Sequence, residues 1–190
     1  AGVWTEVKFD ACGRRTYESY PFTNQSTGVQ LRYDALGRLL QRTNPDGSSV
    51  RYAYEDIDVS VTDEEQRVTT QDWEAYGSPD DARLAALTDA TRQTTSYTYN
   101  ALGNLTSVQG PGALGRSWRY NGRGELISET NPENGTVAFA YDNVGNLKTR
   151  VDPAFGATSF QYDWNRRLIA VDRPGVAHDT TIAYDASDNR

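Results

Sequence analysis

Residues able to do chemistry are few in this sequence, and they are scattered. His178 is its only histidine, in the loop-like stretch "RPGVAHDTT", and Cys12 is its only cysteine. A catalytic Cys or Ser needs a base beside it, and a zinc centre needs several His or Cys; one of each supplies neither. His178 reads as a solvated loop residue. Cys12 reads as a small apolar filler, and a lone thiol builds no internal disulfide framework. Glu64–Glu65 and Asp80–Asp81 are adjacent carboxylates. Neighbours on a strand point to opposite faces, so neither pair converges as an acid/base dyad, and both read as solvated turn charge. "GPGALG", 110–115, is glycine-rich but lacks the lysine and the strand-to-helix setting of a phosphate loop. Asn24, Asn104 and Asn134 each head an Asn-x-Ser/Thr triplet, which becomes a glycosylation acceptor only in a secretory setting. The expectation is a chain with no catalytic residue, no cofactor-binding residue and no metal ligand.

What the sequence does supply is repetition. "YDALGRL" at 33–39 returns as "YNALGNL" at 99–105, "YNGRGEL" at 120–126, "YDNVGNL" at 141–147, "YDWNRRL" at 162–168 and "YDASDNR" at 184–190. Tyr99, Tyr120, Tyr141 and Tyr162 stand 21 apart, as do Tyr33 and Tyr54. Phe9 opens a weaker copy, "FDACGRR", and Trp73 another, "WEAYGSP". A fixed period of this length marks a repeat architecture. A catalytic site needs different residues converging, whereas a repeat brings the same residues back. The heptad is therefore a joint.

The elements around the joint follow from periodicity. Val50, Tyr52 and Tyr54 alternate with Ser49, Arg51 and Ala53; Val137, Phe139 and Tyr141 repeat the pattern. Alternation in aromatic and β-branched residues is a strand with one buried face. The Asp that follows can bond its own backbone two residues on, and the Gly accepts positive φ, so the strand ends in a turn. Leu39, Leu105, Leu126 or Leu147 then opens a second strand, which runs to "NPDG" at 44–47, "NPENG" at 131–135, "DPAFG" at 152–156 or "RPG" at 173–175. Pro followed by Gly is again turn chemistry. Each unit is thus a hairpin, and hairpins must lie side by side to be stable. Residues 55–96 depart from the pattern. "EDID" replaces the glycine turn after Tyr54, and "DEEQR", 63–67, sits where a Pro-Gly turn is due. "SPDDARLAAL" has helix-start features. Yet Leu84 lies 15 before Tyr99, as Leu105, Leu126 and Leu147 lie before their next Tyr. Leu84 is therefore expected to start a strand, with room for one helical turn within 79–83.

Composition bounds the partners. Net charge is −7, which disfavours nucleic acid and anionic membrane, because both attract Lys/Arg clusters. Twelve Tyr, five Phe and four Trp are too many for a disordered chain. No apolar run reaches the ~20 residues of a membrane-spanning helix. The Ala1 start and the absence of Met point to a piece of a longer chain.

Tyr-Asp-x-x-Gly-Arg-Leu at this period, with an intervening Pro-x-Gly turn and an aromatic strand, resembles the YD repeat of the Rhs proteins. The resemblance covers essentially all 190 residues. Departures are Asn100 and Asn121 for Asp, and Arg166 and Asp188 for Gly; these bear on the individual turns, not the architecture. The resemblance implies an all-β strip of tandem hairpins in antiparallel sheet, about eight units over 1–190, forming part of a shell. In Rhs polymorphic toxins and toxin-complex subunits such a shell encloses a C-terminal toxin until delivery, and teneurin-type adhesion proteins carry a similar one outside the cell. It implies an exported bacterial protein whose partners are neighbouring shell segments, the enclosed toxin domain, and secretion machinery or a chaperone. "DPAFG" only faintly resembles the family's self-cleavage signature, and Asp152–Pro153 reads as a turn. A cell-surface or carbohydrate-binding adhesion module is the alternative, with exposed Tyr and Trp stacking on sugar rings. A small propeller-like enzyme fits poorly, since its blades would be too short.

Overall fold

The computed structural model describes residues 2–113, 115–175 and 180–185; His178 and the last five residues of the final heptad lie outside them. The described residues fall into two compact units, Ala1–Thr95 and Ser96–Arg190. The first holds β1 (Val7–Phe9), β2 (Arg15–Ser19), β3 (Gly28–Tyr33), β4 (Leu39–Thr43), β5 (Ser49–Glu55), β6 (Asp58–Thr62), β7 (Val68–Ala75) and β8 (Ala82–Thr88). β9 (Thr94–Tyr99) carries the chain across the boundary. The second holds β10 (Leu105–Gln109), β11 (Gly115–Tyr120), β12 (Leu126–Asn131), β13 (Gly135–Tyr141), β14 (Leu147–Asp152), β15 (Gly156–Tyr162), β16 (Leu168–Asp172) and β17 (Thr180–Thr181). Helical structure among the described residues is limited to two 3-10 turns, Pro79–Asp81 and Pro111–Ala113.

Within each unit every strand pairs antiparallel with its chain neighbours, as in Gln41↔Arg51, Arg51↔Thr62, Ser128↔Ala138 and Thr149↔Ser159. The elements that pack together are chain neighbours, so each unit is a single layer. A single layer leaves both faces near water, and the core is correspondingly thin. Val137 and Val171 are its buried apolar residues, and no described side chain is completely enclosed. In place of a second layer, aromatic side chains recur along one face at every second position. On β5, Val50, Tyr52 and Tyr54 are half-buried while Arg51, Ala53 and Glu55 are exposed. The expected alternation is present. Tyr141, at the end of β13, is half-buried rather than enclosed.

Leu39, Leu105, Leu126 and Leu147 each open a strand as expected. The irregular stretch resolves into strands too. Leu84 pairs with Trp73 inside β8, which begins two residues earlier at Ala82, just after the 3-10 turn. Two details differ from the sequence reading. After Tyr54 the strand continues to Glu55, which pairs with Asp58 around a two-residue turn with Asp56 at φ 52°. Trp73 does not end its strand: β7 runs on to Ala75, and the chain reverses through Gly77, at φ 101°, and the 3-10 turn.

Candidate functional site

The joint is built by one side chain. In the copy at 34–38, Asp34 Oδ1 accepts from the N–H groups of Leu36 at 2.9 Å and Arg38 at 2.8 Å. The Asp34 N–H donates to the Arg38 carbonyl, and the Gly37 N–H donates back to the Asp34 carbonyl. Gly37 sits at φ 86°, and the register slips by one residue at Tyr33, the signature of a glycine bulge closing a hairpin. The same two backbone bonds recur at Asp10, Asn100, Asn121, Asp142 and Asp163. They also recur at Asp63 and Asp89. There "DEEQR" and "DATRQ" make the joint with Gln66 and Arg92 at φ 63° in the glycine position. A reading keyed on Gly misses these two. The signal shared with the other copies is the Asp or Asn itself, whose Oδ1 accepts from the backbone N–H four residues on.

Adjacent joints are tied together. The Tyr54 hydroxyl donates to the Leu39 carbonyl, Tyr141 to Leu126 and Tyr184 to Leu168, each at 2.9 Å. Tyr33 does the same to Arg15, which holds the Leu position in its copy. Each tyrosine thus reaches back to the residue that opens a strand after the preceding joint. Arginine reaches forward. Arg38 binds Asp34 Oδ2 through Nε at 2.7 Å, stacks 4.3 Å over the Tyr54 ring and donates to the Asp56 carbonyl at 3.5 Å. Arg14 binds Asp10, stacks 5.1 Å over Tyr33 and donates to the Asp34 carbonyl at 3.0 Å. In the second unit, Arg123 donates to the carbonyls of Asn143 and Asp142, and Arg167 lies 4.6 Å over Tyr184.

These bonds set the charge states. Backbone N–H donation from Arg67, reinforced by its guanidinium, holds the Asp63 carboxyl below the ordinary aspartate value. At Asp34 partial burial pushes the other way, and the bonds from Arg38 outweigh it. Desolvation raises the Tyr54 and Tyr141 phenols, so both stay protonated donors at neutral pH.

The sequence-selected residues do not converge. Glu64 faces Asn44 and Arg42, whereas Glu65 pairs with Arg67, so the two adjacent carboxylates serve different partners. Asp80 and Asp81 lie in the 3-10 turn, where the Asp80 N–H donates to the Ser78 hydroxyl and the Asp81 N–H to the Ser78 carbonyl. Cys12 is exposed at a joint. Asn24 and Asn134 are exposed, and Asn104 is half-buried in its joint. Residues 111–113 of "GPGALG" form a short turn with Gly112 at φ 75°. Asp152 caps the turn after β14 by accepting from the Ala154 N–H at 3.0 Å. Among the described residues no three His, Cys, Asp or Glu gather to hold a metal, and no helix is long and apolar enough to cross a membrane.

One concavity of about 440 Å³ opens in the second unit, between the 142–146 and 163–167 joints. Val144, Lys148, Phe160, Tyr162, Trp164 and Arg166 line it together with Asp142, Asn146 and Asp163.

The RHS Repeat family model matches residues 33–57, 79–114 and 120–155, together just over half of the chain. This chain belongs to the RHS repeat family. Its fold is that of solved toxin-complex chains. The TcdB2-TccC3 crystal structure matches 96% of the chain at TM-score 0.72 and 14% identity. TcdB2-TccC3-Cdc42 matches 93% at TM-score 0.70 and 14% identity. A Photorhabdus luminescens Tc holotoxin pore matches 94% at TM-score 0.57 and 15% identity. The chain spans 11% of the length of each of these.

Proposed function

We propose that this RHS segment is a non-enzymatic length of wall in an exported toxin, helping to enclose a cargo domain of the same parent polypeptide until delivery. The observation that carries the reading is the tie between joints. In several copies a Tyr bonds backward and an Arg bonds forward, fixing one hairpin to the next within a single layer. This chemistry extends a thin sheet, as an enclosing wall requires, and gathers no reacting groups. The similarity in fold to toxin-complex structures supports the reading. Its partners are then neighbouring wall segments and the enclosed domain.

Limited proteolysis of the parent polypeptide tests the wall. Replacing Tyr141 and Arg123 together by Ala loosens two ties, and the cargo domain should then be digested faster than in the native chain. Equal digestion of the cargo in both overturns the reading. So does turnover of any substrate by the 190-residue chain in a broad hydrolase and transferase screen.

A further inference from the structure

Three glycines in this sequence directly follow an Asp or Asn: Gly47 after Asp46, Gly122 after Asn121 and Gly135 after Asn134. A side chain in that place is open to attack by the next backbone nitrogen, because glycine has no Cβ to shield it. The fold treats the three pairs differently. Asp46 Oδ1 accepts from the Ser48 N–H at 2.9 Å and the Ser48 hydroxyl at 2.6 Å, bonds that favour the unreactive carboxylate. Asn121 Oδ1 accepts from the N–H groups of Arg123 at 2.9 Å and Glu125 at 3.0 Å, and Asn121 Nδ2 donates to Glu125 Oε2 at 2.6 Å. Asn134 is exposed, and its side chain makes no hydrogen bond among the described residues. Its turn is also a point of contact. Gly135 opens β13 at φ 78°, and a Cβ there would lie 3.3 Å from Pro153 Cγ. Gly156 stands to Pro174 in the same way, at 3.1 Å. The turns after β12, β14 and β16 therefore stack glycine against proline along one edge of the second unit.

We propose that Asn134 is a site of spontaneous deamidation, and that the isoaspartate it leaves loosens this stack of turns. The Gly135 nitrogen attacks Asn134 Cγ and forms a C–N bond. The bond from Cγ to Nδ2 breaks, and ammonia leaves with the proton of the Gly135 N–H. Water then opens the cyclic imide at either carbonyl, giving aspartate or isoaspartate. The step needs no oxidant, reductant or enzyme. Asn121 carries the same dipeptide but is spared, because turning its amide toward Gly122 breaks three hydrogen bonds. Isoaspartate runs the main chain through the former side chain, which adds a methylene between the register partners Asn131 and Gly135. The lengthened turn cannot keep both that pairing and the approach of Gly135 to Pro153. Either product adds a carboxylate beside Glu133, whose partner Arg116 is 3.9 Å away. The site does not depend on the wall reading.

The test ages the 190-residue chain in warm, mildly alkaline buffer and follows each Asn by peptide mapping and isoaspartate methyltransferase labelling. In the folded chain Asn134 should convert about tenfold faster than Asn121, or more. In concentrated urea the two rates should become alike, because the clamp on Asn121 is gone and the dipeptides are identical. No conversion at Asn134, equal rates in the folded chain, or a ratio that persists in urea each overturns the site. The isoaspartate form, separated by anion exchange, should unfold at a lower denaturant midpoint than Asn134→Asp, which carries the same charge on an ordinary backbone. Equal midpoints for those two overturn the loosening.

Discussion

At the scale of single residues, the stability of this chain rests on short polar ties more than on enclosed apolar volume. The Tyr141 hydroxyl donates to a backbone carbonyl from a half-buried ring. Tyr141→Phe keeps the ring and removes the bond, so it should cost about 1 kcal/mol in a denaturant titration. Tyr141→Ala should cost more, since it also removes the ring's contacts. A wild-type midpoint for Tyr141→Phe would show that the tie is decorative. The joint aspartates give a pH signature. Asp10, Asp63 and Asp163 have folded values below their ordinary 3.8, so the unfolded chain takes up protons first as pH falls. Stability from these joints is complete above that value and is lost as pH drops through the depressed folded range. Thermal melts should be level from neutral pH down to about pH 5 and then fall steadily. A profile level to pH 2 would contradict the assignment.

At the scale of strands and turns, much was legible. Aromatic alternation, the Asp-to-Gly turn and the strand-opening Leu each depend on neighbours in sequence, so spacing alone located them. Leu84 shows the strength of that logic, because its distance to Tyr99 outweighed a helix-like start. The joints at Asp63 and Asp89 were not legible from glycine, because Gln66 and Arg92 take the left-handed position. The Asp side chain and the bulge hold the turn closed without it. The concavity at Trp164 was hidden for another reason: Lys148 and Phe160 come from different strands, and pairing register alone brings them to Trp164. One close approach was equally invisible. A Cβ on Gly28 would fall 2.1 Å from the Glu18 carbonyl oxygen and 2.4 Å from Ser19 Cα. That is backbone, which cannot move aside without separating β2 from β3. Gly28→Ala should therefore destabilise by about 3 kcal/mol or more, read as a fall in the unfolding midpoint. Wild-type stability would mean that the β2–β3 spacing relaxes at little cost.

At the scale of the whole molecule, the tie between joints spans one hairpin and no more. Tyr141 reaches Leu126, and Arg123 reaches Asn143. This gives the chain a reading frame of two strands, so its copy number is free to vary. Removing the 21 residues 120–140 brings Tyr141 to the place of Tyr120, and every remaining joint finds a partner of the kind it had. Removing residues 131–140 deletes one strand and sends each later joint to the wrong end of the sheet. The first deletion should leave a cooperative β-type melt by circular dichroism, and the second should abolish it; similar melts would deny the frame. Unequal recombination between similar units makes deletions of the first kind. The sequence similarity that reveals the repeat is thus also a means by which such a gene can lengthen or shorten its product without first unfolding it.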